Sequence, residues 1–108
     1  MVEYTVQLDL VFSSLSDPIR RDILQRVATT ELSVGQLVAH YHVSFAAISK
    51  HLKVLEKARL ITKRKEGKKH MVVLAPGALK SADEYLEQYR LMWQSRFNKL
   101  DSLLKEGK

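Results

Sequence analysis

The chain predicts a mostly α-helical domain carrying one small β-hairpin, and three observations predict it. Apolar residues recur at three- and four-residue spacings over most of the length. Helix-capping signatures separate one periodic stretch from the next. A single pair of β-prone runs flanks Gly67. With 108 residues, 45% of them hydrophobic and 28% charged, the composition is that of one globular domain spanning 1–108.

The first helix is expected over about Thr5 to Ser14, with Leu8, Phe12 and Leu15 on one face. Asp17 can cap the next helix, and Pro18 suits its first position because it has no N–H to leave unpaired. Ile19, Ile23, Leu24 and Val27 give that helix an apolar face, and Thr29, Thr30 and Glu31 end it. Ser33 and Gln36 form a capping box that opens a short helix with Val34, Leu37 and Val38 inward. Tyr41, His42 and Val43 make a turn, and Ser44 caps a further helix. On it Phe45, Ile48, Leu52 and Leu55 are expected to form the buried stripe, opposite Ala46, Lys50, Lys53 and Lys57, with Ser49 at the edge. These two short helices joined by a tight turn predict a helix-turn-helix. Ile61 to Lys65 and His70 to Leu74 then read as a hairpin around Glu66-Gly67-Lys68-Lys69, with the glycine supplying positive φ. After Pro76-Gly77 a long helix is expected from about 78 to 104, apolar at Leu79, Ala82, Leu86, Tyr89, Trp93, Phe97, Leu100 and Leu104. At ~1.5 Å per residue it approaches 40 Å, longer than so small a domain covers, so part of its stripe is expected to meet a second subunit. The order helix, helix, helix-turn-helix, hairpin, helix is that of a winged helix, with the hairpin as the wing.

Charge is concentrated in one place. Between residues 50 and 69 nine lysines and arginines face only Glu56 and Glu66, a net +7 in a chain whose total is +6. So compact a patch suggests a polyanionic partner. Ser49 and Lys50 are the expected readers of base edges in a major groove, with Ala46 and Phe45 against thymine methyls. Lys53 and Lys57 lie further along and are expected on phosphates. Arg64, Lys68 and Lys69 of the wing are placed toward a minor groove, and Arg20 and Arg21 toward the backbone. Each has a plainer rival: a solvated face for Lys53 and Lys57, a cap for Ser44 (favoured over base contact), core packing for Phe45 (again favoured), and a hydrogen-bonded structural role for His51. Tyr85, Tyr89, Trp93 and Phe97 read most simply as dimer core.

Nearly the whole chain resembles the ArsR-type winged-helix repressors. LSDPIRRDIL at 15–24 looks like the opening of that family's second helix, ELSVGQLVAHYHVSFAAISKHLKVLEKARLI at 31–61 like its helix-turn-helix, and TKRKEGKKHMVVL at 62–74 like its wing. The resemblance implies a homodimer paired through the first helix (about 5–14) and last helix (about 78–104), with Leu8, Phe12, Leu86, Tyr89, Trp93, Phe97 and Leu100 at the interface. It also implies binding to an imperfect palindrome in double-stranded DNA and release by an effector. Metal-sensing members carry a cysteine pair where Ser33 and Gly35 stand here, and the last helix has no histidine, so the likeness is to a cysteine-free, non-metal-sensing branch. Phe45 and Ala46 are less polar than the residues often found at that helix start.

No cofactor or metal is expected. His40 and His42 fall on different sides of any helix, and no phosphate loop, cysteine nucleophile or paired carboxylate suggests an enzyme. No apolar run approaches ~18 residues and no secretion signal is evident, so a cytoplasmic protein is expected. A protein-interaction module or a sequence-independent architectural DNA binder would share the basic patch and remain the alternatives to a sequence-specific repressor.

Overall fold

The computed structural model describes residues 2–106, with side chains from residue 6 onward; positions 1, 107 and 108 of the expected domain lie outside the described residues. In chain order the elements are α1 (Val2–Ser14), α2 (Pro18–Thr29), β1 (Leu32–Ser33), α3 (Val34–Ala39), α4 (Phe45–Lys57), β2 (Ile61–Glu66), β3 (Lys69–Leu74) and α5 (Lys80–Glu106). The winged-helix order stands. α1 begins three residues before the expected Thr5, in a stretch without glycine, proline or a capping side chain to delay it.

The caps act as their chemistry dictates. Asp17 accepts from the backbone N–H groups of Ile19 and Arg20 at 2.8 and 3.1 Å. Ser33 and Gln36 close a reciprocal capping box at 3.1 and 2.8 Å. Ser44 Oγ accepts from Ala47 N–H at 3.1 Å, which settles its hydroxyl as a cap. α4 stops in a Schellman arrangement: Leu60 N–H reaches Leu55 O, and Arg59 N–H reaches Glu56 O, both at 3.0 Å. The left-handed position, where glycine is usual, is filled by Arg59 at φ 61°. That turn drives Leu60 and Ile61 straight into the core at the root of the wing.

The sheet has the order β1-β3-β2 and is antiparallel throughout. Glu66 pairs with Lys69 across a two-residue loop, and Gly67 takes φ 63° there, as the first position of a II′ turn requires. The third strand, β1, was not expected. Leu32 and Ser33 pair with Val72 and Met71 just before the capping box, tying the wing root to the start of α3.

One core joins all these elements. Val11, Ile23, Val27, Leu37, Ile48, Leu52, Leu55, Leu60, Ile61 and Val72 are buried together, with Ala82 of α5. Leu8 is also covered within the protomer, 7% exposed, so its side chain packs inside the domain. α5 behaves differently along its length. Its first turns pack on α1, where Phe12 meets the Tyr85 ring edge-on at 5.9 Å between centroids. Residues 91–106 are exposed throughout, and the molecule measures 67 × 33 × 21 Å.

Candidate nucleic-acid interface

The site is built on α4. Ile48, Leu52 and Leu55 are buried and set the helix's roll. That leaves Ala46, Lys50, Lys53 and Lys57 exposed on the opposite side, with Ser49 half-buried at the edge. Phe45 departs from the expected core role. It sits one position after the Ser44 cap, where the helix has only begun to lie against α3, and it is 63% exposed. Its ring stands off the first turn, along the same cleft as Ser49, open to solvent.

A polar latch orients this helix. Tyr41, in the turn before α4, donates its hydroxyl to Asp22 Oδ2 of α2 at 2.5 Å. The same oxygen accepts from Arg26 Nε at 2.8 Å, and the Arg26 guanidinium lies 5.9 Å from the Tyr41 ring centroid. The Tyr41 and Arg26 hydrogen bonds hold the Asp22 carboxyl below its ordinary value. Burial, then the Asp22 hydrogen bond, push the Tyr41 hydroxyl up to about 12. A tyrosine whose folded value exceeds its unfolded value near 10 stabilises fully below pH 10 and loses that contribution as pH rises through 12. Tyr41→Phe is therefore expected to lose about 1 kcal/mol at neutral pH. It should also unfold less steeply with alkali than the parent between pH 10 and 12. Denaturant unfolding at a series of pH values measures both.

Two expected phosphate contacts are redirected. Arg20 donates Nε to Ser14 O at 2.7 Å, Nη2 to Ser13 O at 3.2 Å, and Nη1 to His51 Nδ1 at 3.2 Å. Arg21 donates to Leu15 O at 2.8 Å. Both arginines thus bind carbonyls at and just past the end of α1, as cations near a helix C-terminus do. Arg20 is a brace between α1 and α4 rather than a free backbone contact; Arg21 remains exposed. His51 Nδ1 thus lies between the Arg20 guanidinium and, at 4.0 Å, the Asp17 carboxylate, and the structural reading of that residue fits its 18% side-chain exposure.

The wing is divided by strand alternation. Val72 is buried against the helices, and Lys63 is its cross-strand partner; Lys65 and His70 are the next pair on that face. Arg64 is on the other face, in ion pairs with Glu31 and, at 3.1 Å, Glu66. Within the protomer its charge is thus paired on an exposed surface, and the two carboxylates raise its already high proton affinity. Lys68 and Lys69, at the tip, are exposed. Lys68 and Lys69, which were expected contacts, line the space between the wing and α4, and so do Lys63 and His70, which were not. The period-two count from Ile61 was the signal that finds them. Lys63 is in turn held 3.8 Å from Glu56. Between α4, the start of α3 and the wing lies an open cleft of about 550 Å³, walled by Phe45, Ser49, Lys63 and His70.

Among the described residues no group of three His, Cys, Asp or Glu side chains is placed to hold a metal ion. No helix there is long and apolar enough to cross a membrane. The last helix supplies the remaining feature of the site, an uncovered apolar stripe of Leu86, Tyr89, Trp93, Phe97 and Leu100, with Phe12 of α1 at its near end.

Residues 17–63, from the α2 cap through α4 to the wing, match the model of bacterial regulatory proteins of the arsR family. The chain is 37% identical to the HTH-type transcriptional regulator Rv2034 of Mycobacterium tuberculosis, over 75% of this chain and 76% of that protein. It is 38% identical to an arsenical resistance operon repressor of Staphylococcus xylosus, over 63% of this chain and 65% of the relative, just under two thirds. Among solved structures, an ArsR-like transcriptional regulator from Rhodococcus sp. RHA1 superposes with a TM-score of 0.74 at 27% identity, covering 92% of this chain and 93% of that one. With the α2 cap, the α4 face and the wing in this order, the chain belongs to the arsR family of bacterial regulatory proteins.

Proposed function

We propose that this transcriptional regulator is a homodimeric repressor that grips an imperfect palindrome in double-stranded DNA, in the cytoplasm where that DNA lies. The observation that carries this reading is the outer face of α4. Lys50, Lys53 and Lys57 stand exposed in a row on a helix whose Ile48, Leu52 and Leu55 are buried, while the nearby Glu31, Glu56 and Glu66 are engaged by Arg64 and Lys63. Positive charge is left where a groove would meet it.

Lys50 and Ser49 are assigned to base edges, with Phe45 and Ala46 toward thymine methyls. Lys53 and Lys57 are assigned to phosphates, which fix register without reading sequence. Two such helices related by a two-fold axis through α1 and α5 would lie about 34 Å apart, one turn of DNA.

A Lys53→Ala, Lys57→Ala variant tests the assignment. Affinity for promoter DNA should fall uniformly across sequences. The slope of log affinity against log salt should shrink by about 1.8 per protomer, near 0.9 for each phosphate no longer neutralised. Unchanged affinity and slope would remove the groove assignment. Selection from a random DNA pool that enriches no motif would instead favour an architectural binder, or a protein partner for the same face.

A further inference from the structure

We propose that the cleft between α4 and the wing is a binding site for a small amphipathic carboxylate, whose occupancy is incompatible with DNA on the same face. The DNA half of this statement rests on the function proposed above; the ligand half does not.

The cleft has the two parts such a ligand needs. Val34, Phe45 and Leu52 give it an apolar floor and side, and its volume of about 550 Å³ falls in the range that holds small organic molecules. Lys63, Lys69 and His70 line the opposite wall, and among the described residues no acidic side chain lines it. Lys63 is already turned toward Glu56, so Lys68 and Lys69, with the His70 ring as a hydrogen-bonding neighbour, are the groups left to meet a carboxylate. A ligand of pure charge would leave the Phe45 ring facing water. A ligand without charge would have to desolvate the cationic wall with nothing to offset it. A carboxylate head with an aliphatic or aromatic tail satisfies both sides.

The position makes occupancy consequential. Phe45 and Ser49 are assigned to the DNA contact and also wall the cleft. A tail packed against Phe45 takes away the surface that base edges would meet, and a carboxylate on the wing cations cancels charge intended for phosphate. The ligand and the DNA therefore compete without any change of fold.

Backbone amide NMR titration of the DNA-free protein with decanoate, decanol and inorganic phosphate tests the site. Decanoate should saturate, with shifts confined to the cleft around Gly35, Phe45, Ser49 and His70, and decanol should bind at least tenfold more weakly. Phosphate that occupies the cleft as tightly as decanoate would overturn the proposal, since the cleft would then be a seat for phosphodiester alone. So would scattered, non-saturating shifts. Gly35→Leu provides the variant: Gly35 is an exposed residue of α3, and a Cβ there meets only Ser33 Oγ at 3.9 Å, so the longer side chain enters the cleft without strain at its base. It should reduce decanoate affinity at least tenfold with no loss of melting temperature. Lys69→Gln should weaken decanoate but not decanol; equal weakening of both, or of neither, would contradict the assigned head group. In a final arm decanoate should weaken promoter binding in proportion to cleft occupancy. Saturation of the cleft with DNA affinity unchanged would overturn the competition, whereas a cleft that fills in a protein binding no DNA would remove the proposed function and leave the site standing.

Discussion

A Trp93→Glu, Phe97→Glu variant is expected to sediment as a monomer at micromolar concentration and to bind promoter DNA roughly 10²- to 10⁴-fold more weakly than the parent, the range that separates two linked half-sites from one. The argument begins with exposure. Trp93 and Phe97 are 56% and 60% exposed, their rings stacked at 5.8 Å between centroids, in a helix exposed at every position from 91 to 106. Leu86, Tyr89, Leu100 and Leu104 continue the same stripe, and Met92 and Leu103 widen it. A monomeric protein seldom leaves so long an apolar surface to water. Paired with a second copy, the stripe becomes the seam between two helices, and two carboxylates placed in that seam would be desolvated with no cation opposite. Neither ring belongs to the domain core, so the secondary structure of the variant should be unchanged. Any fall in its melting temperature should vanish on dilution of the parent, because it reflects lost association. A variant that remains dimeric would remove the stripe from the interface.

The elements were legible in this sequence wherever the signal is local. Asp17-Pro18, the Ser33–Gln36 box and the Ser44 cap each act through neighbours within three residues, and each is found where the sequence places it. β1 was not legible, because two residues cannot display an alternation and their partners, Val72 and Met71, are about forty positions away. The candidate site divides along the same line. The α4 face follows from helical period, so the exposure of Lys50, Lys53 and Lys57 could be counted off. Arg20 and Arg64 could not be judged by counting charges, since each finds its partners through the tertiary fold: α1 carbonyls and His51 for the first, Glu31 for the second. Phe45 failed for a subtler reason. Its spacing from Ile48 puts it on the inner stripe, but a residue at the first turn overhangs the end of the packing surface, and periodicity carries no information about where that surface stops.

Leu52→Ala is expected to destabilise the fold by about 3 kcal/mol, within the range for a fully buried leucine reduced to alanine. Leu52 is 1% exposed and lies mid-way along α4 between Ile48 and Leu55, so the removed atoms leave a cavity that backbone movement cannot close without tilting the helix. In a domain of this size that corresponds to a melting temperature lower by roughly 13 °C. Val54→Ala, two residues on, is the control: Val54 is 38% exposed, on no shared stripe, and the change should stay within about 0.5 kcal/mol. The pair separates the two duties of α4. If the buried stripe sets the roll of the cationic face, Leu52→Ala should weaken DNA binding even at temperatures where the protein remains folded, because Ser49 and Lys50 on the next turn lose their fixed direction. Thermal unfolding and DNA titration at low temperature read the two effects apart. Destabilisation of both variants to the same degree would mean that α4 is not held by its inner stripe, and the geometry assigned to the recognition face would lose its foundation.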